Sequence, residues 1–115
     1  MRCIKIIKEG RRRRYIGFEI KTKEEKSFSK DEIINVIRYN SENICNKHFK
    51  EMGLFVVRFN GLQGIVRCKH TEKENTINLL KQTDKINNVK VDIKTIATSG
   101  TIKSLIKKHM SDFDI

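Results

Sequence analysis

The chain has 115 residues, 37% hydrophobic and 34% charged, with no proline or tryptophan and a formal net charge of +11. That length suits one domain with a single core, and no stretch approaches the ~20 apolar residues of a membrane span. A charge this high says little about fold but points to a polyanionic partner, with nucleic acid ahead of an anionic membrane surface.

The start, Met1-Arg2-Cys3-Ile4-Lys5-Ile6-Ile7-Lys8, lacks the apolar core of a signal peptide, so the expectation is an intracellular, cytoplasmic protein. Residues 1–14 form a basic arm, with Arg2, Lys5, Lys8 and Arg11 to Arg14 set against Glu9 alone. Such a run repels itself until a polyanion or a partner chain orders it. Its adjacent arginines, Arg11, Arg12, Arg13 and Arg14, offer the bidentate phosphate recognition that lysines lack.

A single domain is expected over residues 15–110, followed by a loose tail over 111–115. Its first strand, 15–22, alternates Ile16, Phe18 and Ile20 with Tyr15, Gly17, Glu19 and Lys21. Ser29 and Glu32 have capping-box spacing, and Phe28 and Ile33 stand where a hydrophobic staple would close. They open a helix from 30 to about 51, with Ile34, Ile37, Cys45, Phe49 and Met52 near helical spacing. The helix is softened at Asn40-Ser41 and stopped by Gly53. Strands at 54–59 and 63–70 flank the asparagine-glycine turn Asn60-Gly61. Leu54-Phe55-Val56-Val57 is apolar on both faces, so something should cover the second face of the sheet.

Thr71 and Glu74 predict a second capping box and a helix from 72 to about 86, broken by Asn87-Asn88. Val89, Val91 and Ile93 alternate as the last strand. Ser99-Gly100 then turns into a helix near Thr101, with Gly100 expected at positive φ and Ile102, Leu105 and Ile106 on one face. Cys3, Cys45 and Cys68 are odd in number and widely spaced, and Cys45-Asn46-Lys47-His48 and Cys68-Lys69-His70 fall within regular elements. They read as buried structural thiols, unlike a disulfide framework or a zinc knuckle.

The element order is strand, helix, strand, strand, helix, strand, with a further C-terminal helix. That is an α+β, ferredoxin-like (RRM-like) βαββαβ antiparallel sheet, its first and third strands central. The C-terminal helix is the natural cover for the face opposite the other two. An RNA recognition motif would need base-stacking aromatics on its third strand. Gly64-Ile65-Val66-Arg67-Cys68-Lys69-His70 has none before His70, so backbone and shape recognition of folded RNA is expected.

A ribonuclease needs a positioned acid and base, or carboxylates on a metal. Glu32, Glu72 and Glu74 have first-turn or capping explanations, and His48 and His109 lie on expected helices. His70 is kept as an RNA contact with no evident acid partner, so no catalytic site is expected in this chain.

Three segments, Arg14-Tyr15-Ile16-Gly17-Phe18-Glu19-Ile20, Gly64 to His70 and Thr98-Ser99-Gly100-Thr101-Ile102-Lys103, carry a resemblance. In order and spacing over residues 14–108 they resemble the family of small protein subunits of archaeal ribonuclease P (protein component 2). The stretch before Arg14 departs from that family's Leu-Pro-rich lead-in. The resemblance implies a chain that does not cut. Its catalytic RNA partner, ribonuclease P RNA, would remove the 5′ leader of precursor tRNA with magnesium held on the RNA. The chain would bind no cofactor, pair with ribonuclease P protein component 3 among other protein subunits, and stabilise the RNA's catalytic domain. Arg11, Arg12, Arg13, Arg14, Arg67, Lys69, His70, Ser99, Gly100, Thr101 and Lys103 are the candidate RNA contacts, with a structural ion pair the alternative for Arg67. A protein partner would meet an apolar stripe on the first helix or the edge of the second strand, unless both are simply core. Two rival readings stay open: a generic basic RNA-binding module of ribosomal type, and a stand-alone endoribonuclease using His70.

Overall fold

The computed structural model describes residues 12–23 and 27–110. The basic stretch up to Arg11 and the tail 111–115 lie outside these described residues. Four strands form one antiparallel sheet: β1 (Arg13–Lys21), β2 (Phe55–Phe59), β3 (Gln63–Lys69) and β6 (Asp92–Ser99), in the order β2-β3-β1-β6. The expected ferredoxin-like arrangement is present, with the first and third strands central. The first strand begins at Arg13, so Arg13 and Arg14 extend the sheet rather than precede it.

Alternation in β1 puts Ile16, Phe18 and Ile20 on one face, all buried. Two helices close over them. Helix α1 (Lys30–Cys45) contributes Ile33 and Ile37, and α3 (Lys73–Gln82) contributes Leu79 and Leu80, to a core shared with Val56, Val66, Cys68 and Ile93. The α1 start forms as predicted: the Ser29 hydroxyl accepts from the Glu32 amide at 3.1 Å, and the Glu32 carboxylate accepts from the Ser29 amide at 2.8 Å. Phe28 and Ile33 are both buried in the same core.

The long first helix is shorter than expected. It runs intact through Asn40-Ser41 and stops at Cys45, where Asn46 adopts a left-handed conformation at φ 56°, one that asparagine tolerates. His48 then restarts a short helix, α2 (Phe49–Met52), its Nδ1 accepting from the Lys50 amide while Glu51 accepts from the His48 amide. Gly53 ends it, as predicted.

The second capping box does not form. His70–Glu72 is a 3-10 turn, and Glu72, not Thr71, precedes α3. The Glu72 carboxylate is engaged by Lys47 Nζ at 2.7 Å and Asn75 Nδ2 at 2.9 Å, which ties the α1–α2 break to the α3 start. Helix α3 also ends four residues early. The Thr83 hydroxyl donates to the Leu79 carbonyl, and a two-strand hairpin follows, β4 (Lys85–Ile86) with β5 (Val89–Lys90). Asn87 and Asn88 form its turn at φ 49° and 68°, the paired positive values of a tight hairpin.

The second face of the sheet is covered by α4 (Ile102–His109). Leu105 and Met110 bury against Ile65, with Tyr15, Val57, Ala97, Ile102 and Ile106 around them. The approach is close because β1 has Gly17 there: a Cβ on Gly17 would stand 2.5 Å from Met110 Sδ. Both rims of the sheet are irregular. The register slips between Val56 and Arg58 on β2, and β6 slips where Gly17 and Phe18 of β1 face Ala97 and Thr95.

Candidate nucleic-acid interface

The candidate contacts are scattered in sequence, and sheet register brings most of them to one end of the molecule. Arg13 lies opposite Lys69, Arg14 opposite Cys68, and Tyr15 opposite both Arg67 and Ser99. The start of β1, the end of β3 and the end of β6 therefore meet. The His70 amide donates to the Arg12 carbonyl at 3.3 Å, extending this pairing one step past the strands.

The strand period sorts these residues by face. Arg13, Tyr15, Arg67 and Lys69 share the α4 side; Arg14 lies with Cys68 on the other. Arg14 Nη1 donates to the Arg13 carbonyl at 3.1 Å, and Arg12 is exposed. Lys69 lays its stem along Gly53. Arg11 lies outside the described residues.

The β6–α4 turn completes this end. Thr101 caps the helix, its hydroxyl accepting from the Ser104 amide at 3.2 Å, and the Ser99 hydroxyl accepts from the Thr101 amide at 3.4 Å. Lys103 is exposed in the first turn. Cations near a helix N-terminus reinforce the attraction of its free amides for phosphate. Gly100 departs from expectation: it is not among the glycines at positive φ, and a Cβ there would meet only Arg14 Nη1 at 3.8 Å. The turn is made by the Ser99 and Thr101 hydroxyls, not by glycine's freedom.

Among the described residues Arg67 forms no ion pair of the kind a structural role would give it. Its guanidinium carbon sits 4.9 Å from the centre of the Phe55 ring, and its Nε, buried, has no hydrogen-bond partner among the described residues. Arg58, on the same side of the sheet as Ile65, likewise has a buried Nε without a partner among those residues. Sequence reasoning passed over Phe55, Tyr15 and Arg58. The sequence hid this pairing: counting back from Phe59 opposite Gly64 would set Phe55 opposite Cys68, and only the slip between Val56 and Arg58 brings it opposite Arg67.

His70 is held by its backbone in the 3-10 turn, and the nearby Glu72 is occupied by Lys47 and Asn75. Burial pushes the Glu72 carboxyl up, but hydrogen bonds from Lys47 and Asn75, with the Lys47 charge, outweigh it and hold the group below its ordinary range. The hydrogen bond to Glu72 raises Lys47 in turn. Burial, first among several causes, pushes the Cys68 thiol up. Cys45 is only half-buried, its thiol 3.6 Å from the Asn75 carbonyl, and burial raises it too. Among the described residues no group of three or more His, Cys, Asp or Glu is placed to hold a metal ion, and no helix is long and apolar enough to cross a membrane. The chemistry this end offers is therefore cationic and hydrogen-bond donating.

The model of the Rpp14/Pop5 family matches residues 14–110. A protein of Pyrococcus furiosus named Ribonuclease P protein component 2 is 33% identical over 109 residues, covering 89% of this chain and 86% of its own length. The protein of that name in Methanosarcina acetivorans is 25% identical over 104 residues, covering 90% and 78% respectively. In fold, a chain in the cryo-EM structure of yeast ribonuclease MRP superimposes with a TM-score of 0.59, spanning 79% of this chain and 76% of that one at 11% identity.

Proposed function

Because the chain belongs to the Rpp14/Pop5 family, we propose that it is a protein subunit of ribonuclease P, supporting the catalytic RNA in removing the 5′ leader from precursor tRNA. The observation that carries this reading is the meeting of Arg12 to Arg14, Lys69, His70 and the Ser99–Lys103 turn at one end of the sheet. Cations gathered there lower repulsion among RNA phosphates, so the RNA compacts and holds its magnesium at lower added salt. The hydroxyls of Ser99 and Thr101 and the first amides of α4 supply hydrogen bonds to phosphate oxygens.

The RNA carries the chemistry and the magnesium; this chain supplies no catalytic group and no cofactor. It binds and stabilises the RNA's catalytic domain together with ribonuclease P protein component 3 and other protein subunits, works in the cytoplasm and meets no membrane.

The test is a reconstitution of precursor-tRNA cleavage at limiting magnesium, with the chain, an archaeal ribonuclease P RNA and component 3 combined and each omitted in turn. Faster leader removal only when RNA and proteins are combined supports the reading. Firm RNA binding without stimulation would replace it with a generic RNA-binding module. Cleavage by the chain alone, lost in His70→Ala, would make it an endoribonuclease.

A further inference from the structure

Among the described residues helix α4 covers the second face of the sheet unevenly: the row under Leu105 and Met110 is the more buried, and the next row, though its Tyr15 packs against the edge of that cluster, is less so. Gly17 lies opposite Ile65 and Ala97, and this row sits under Leu105 and Met110. The next row on the same face reads Phe55, Arg67, Tyr15 and Ser99, each directly opposite its neighbour across all four strands. Phe55 is 53% exposed there, against full burial of Ile65 one row away. Tyr15 and Arg67 are half-buried. Beyond this row the same face ends on Arg13 opposite Lys69.

We propose that the Phe55–Arg67–Tyr15 row is a stacking site for an unpaired nucleobase of a bound RNA strand, with the strand's neighbouring phosphates on Arg13 and Lys69. The proposal rests on the RNA-binding reading above and adds to it a contact with a base.

Three observations support it. The Arg67 guanidinium carbon already sits over the Phe55 ring, 4.9 Å from the centroid, so an aromatic and a cationic group are brought together in advance. Both kinds of group accept a nucleobase. The Arg67 Nε is buried and has no hydrogen-bond partner among the described residues, so the row carries an unmet donor beside the ring. Finally, strands stand about 4.8 Å apart, so Phe55 and Tyr15, two strands apart in one row, bracket roughly 10 Å with Arg67 between them. The charge of the flanking residues selects the occupant: a row ending in Arg13 and Lys69 suits the sugar-phosphate chain of a nucleic acid better than an apolar protein segment.

This site reverses the expectation drawn from β3 alone. The aromatics of the platform come from β1 and β2, on either side of Arg67.

The experiment compares the full chain with Phe55→Ala, Phe55→Leu and Phe55→Tyr in binding a ten-nucleotide oligoadenylate and an abasic ribose-phosphate chain of equal length. Phe55→Ala should weaken oligoadenylate binding by on the order of tenfold, leave the abasic chain unaffected, and leave the salt dependence unchanged. Phe55→Leu should lose as much, and Phe55→Tyr should bind like the parent. In a Tyr39→Phe background Tyr15 is the sole tyrosine of a chain without tryptophan, and its emission should be quenched by oligoadenylate but not by the abasic chain.

Equal affinity of Phe55→Ala and parent for oligoadenylate overturns the proposal, as does an equal loss on the abasic chain. A Phe55→Ala variant that keeps RNA but loses a protein subunit would also overturn it, assigning the row to a protein interface. Cleavage reconstitution reads separately. Stimulated cleavage with no Phe55 effect removes the stacking site alone, whereas firm stacking with no stimulation removes the subunit reading alone.

Discussion

Leu105→Ala tests whether α4 is a separable cover or an integral part of the domain. An isolated helix of this length is unstable in water, where about 12–15 residues are needed, so its eight residues, Ile102–His109, fold by docking. Docking rests on Leu105 and Met110, both buried, with Ile102 and Ile106 half-buried beside them. Removing a fully buried leucine side chain costs about 2–5 kcal/mol, a large share of what so small a contact supplies. Helix α4 should therefore lift off while the rest stays folded. Amide hydrogen exchange by NMR reads this directly. The Leu105 and Met110 amides, which donate to Thr101 and Ile106, should lose at least about thirtyfold in protection. The Ile20 amide, which donates to the Leu62 carbonyl at 2.7 Å, should keep its protection. Ile16→Ala, on a central strand under α1 and α3, should instead lower protection everywhere by a similar free energy. Equal loss at Ile20 and Leu105 in the Leu105→Ala variant would refute the separable cover.

Three further outcomes follow from the geometry. Glu72→Gln removes a carboxylate whose folded pKa is depressed, so its contribution to stability is present above the ordinary glutamate range of about pH 4 and fades below it; urea midpoints of parent and variant should converge as pH falls through that range, and a constant gap would contradict the assignment. Gly100→Ala should fold like the parent, within about 0.5 kcal/mol by thermal unfolding, because no positive φ or close neighbour stands in its way; marked destabilisation would return the turn to glycine. Lys103→Ala should leave stability unchanged and reduce the slope of log affinity against log salt by about one, and an unaltered slope would take Lys103 off the RNA.

The strand-and-helix order was legible because each long element carries a local signature. The Ser29–Glu32 box, the alternation of Ile16, Phe18 and Ile20, and the apolar face of Ile102, Leu105 and Ile106 all sit where their periods put them. The doubly apolar run at Leu54 to Val57 correctly called for a cover on the second face. The errors arose where side-chain hydrogen bonds compete with local rules. Thr71 had the spacing of a cap, yet Lys47 and Asn75 recruit Glu72 across the chain, and α3 starts one residue later. Asn46, Asn87 and Asn88 each take positive φ, which ends one helix early and turns an expected helix end into a hairpin. The candidate site was partly legible for the same reason. Charge clusters can be read in one dimension, but the row from Phe55 to Ser99 exists only once register is fixed.

The two slips in register on the outer strands bear on how the molecule behaves in company. Val57 on β2 and Ile96 on β6 are the extra residues, one on each outer strand of the sheet. A bulge interrupts the row of free amides and carbonyls that a neighbouring chain would zip onto. On β6 the rim also presents Lys94, so a second copy arriving edge-on meets a broken ladder and like charge together. Among the described residues the sheet thus leaves both outer strands without a pairing neighbour, yet neither edge offers the unbroken ladder that endless growth by strand addition requires.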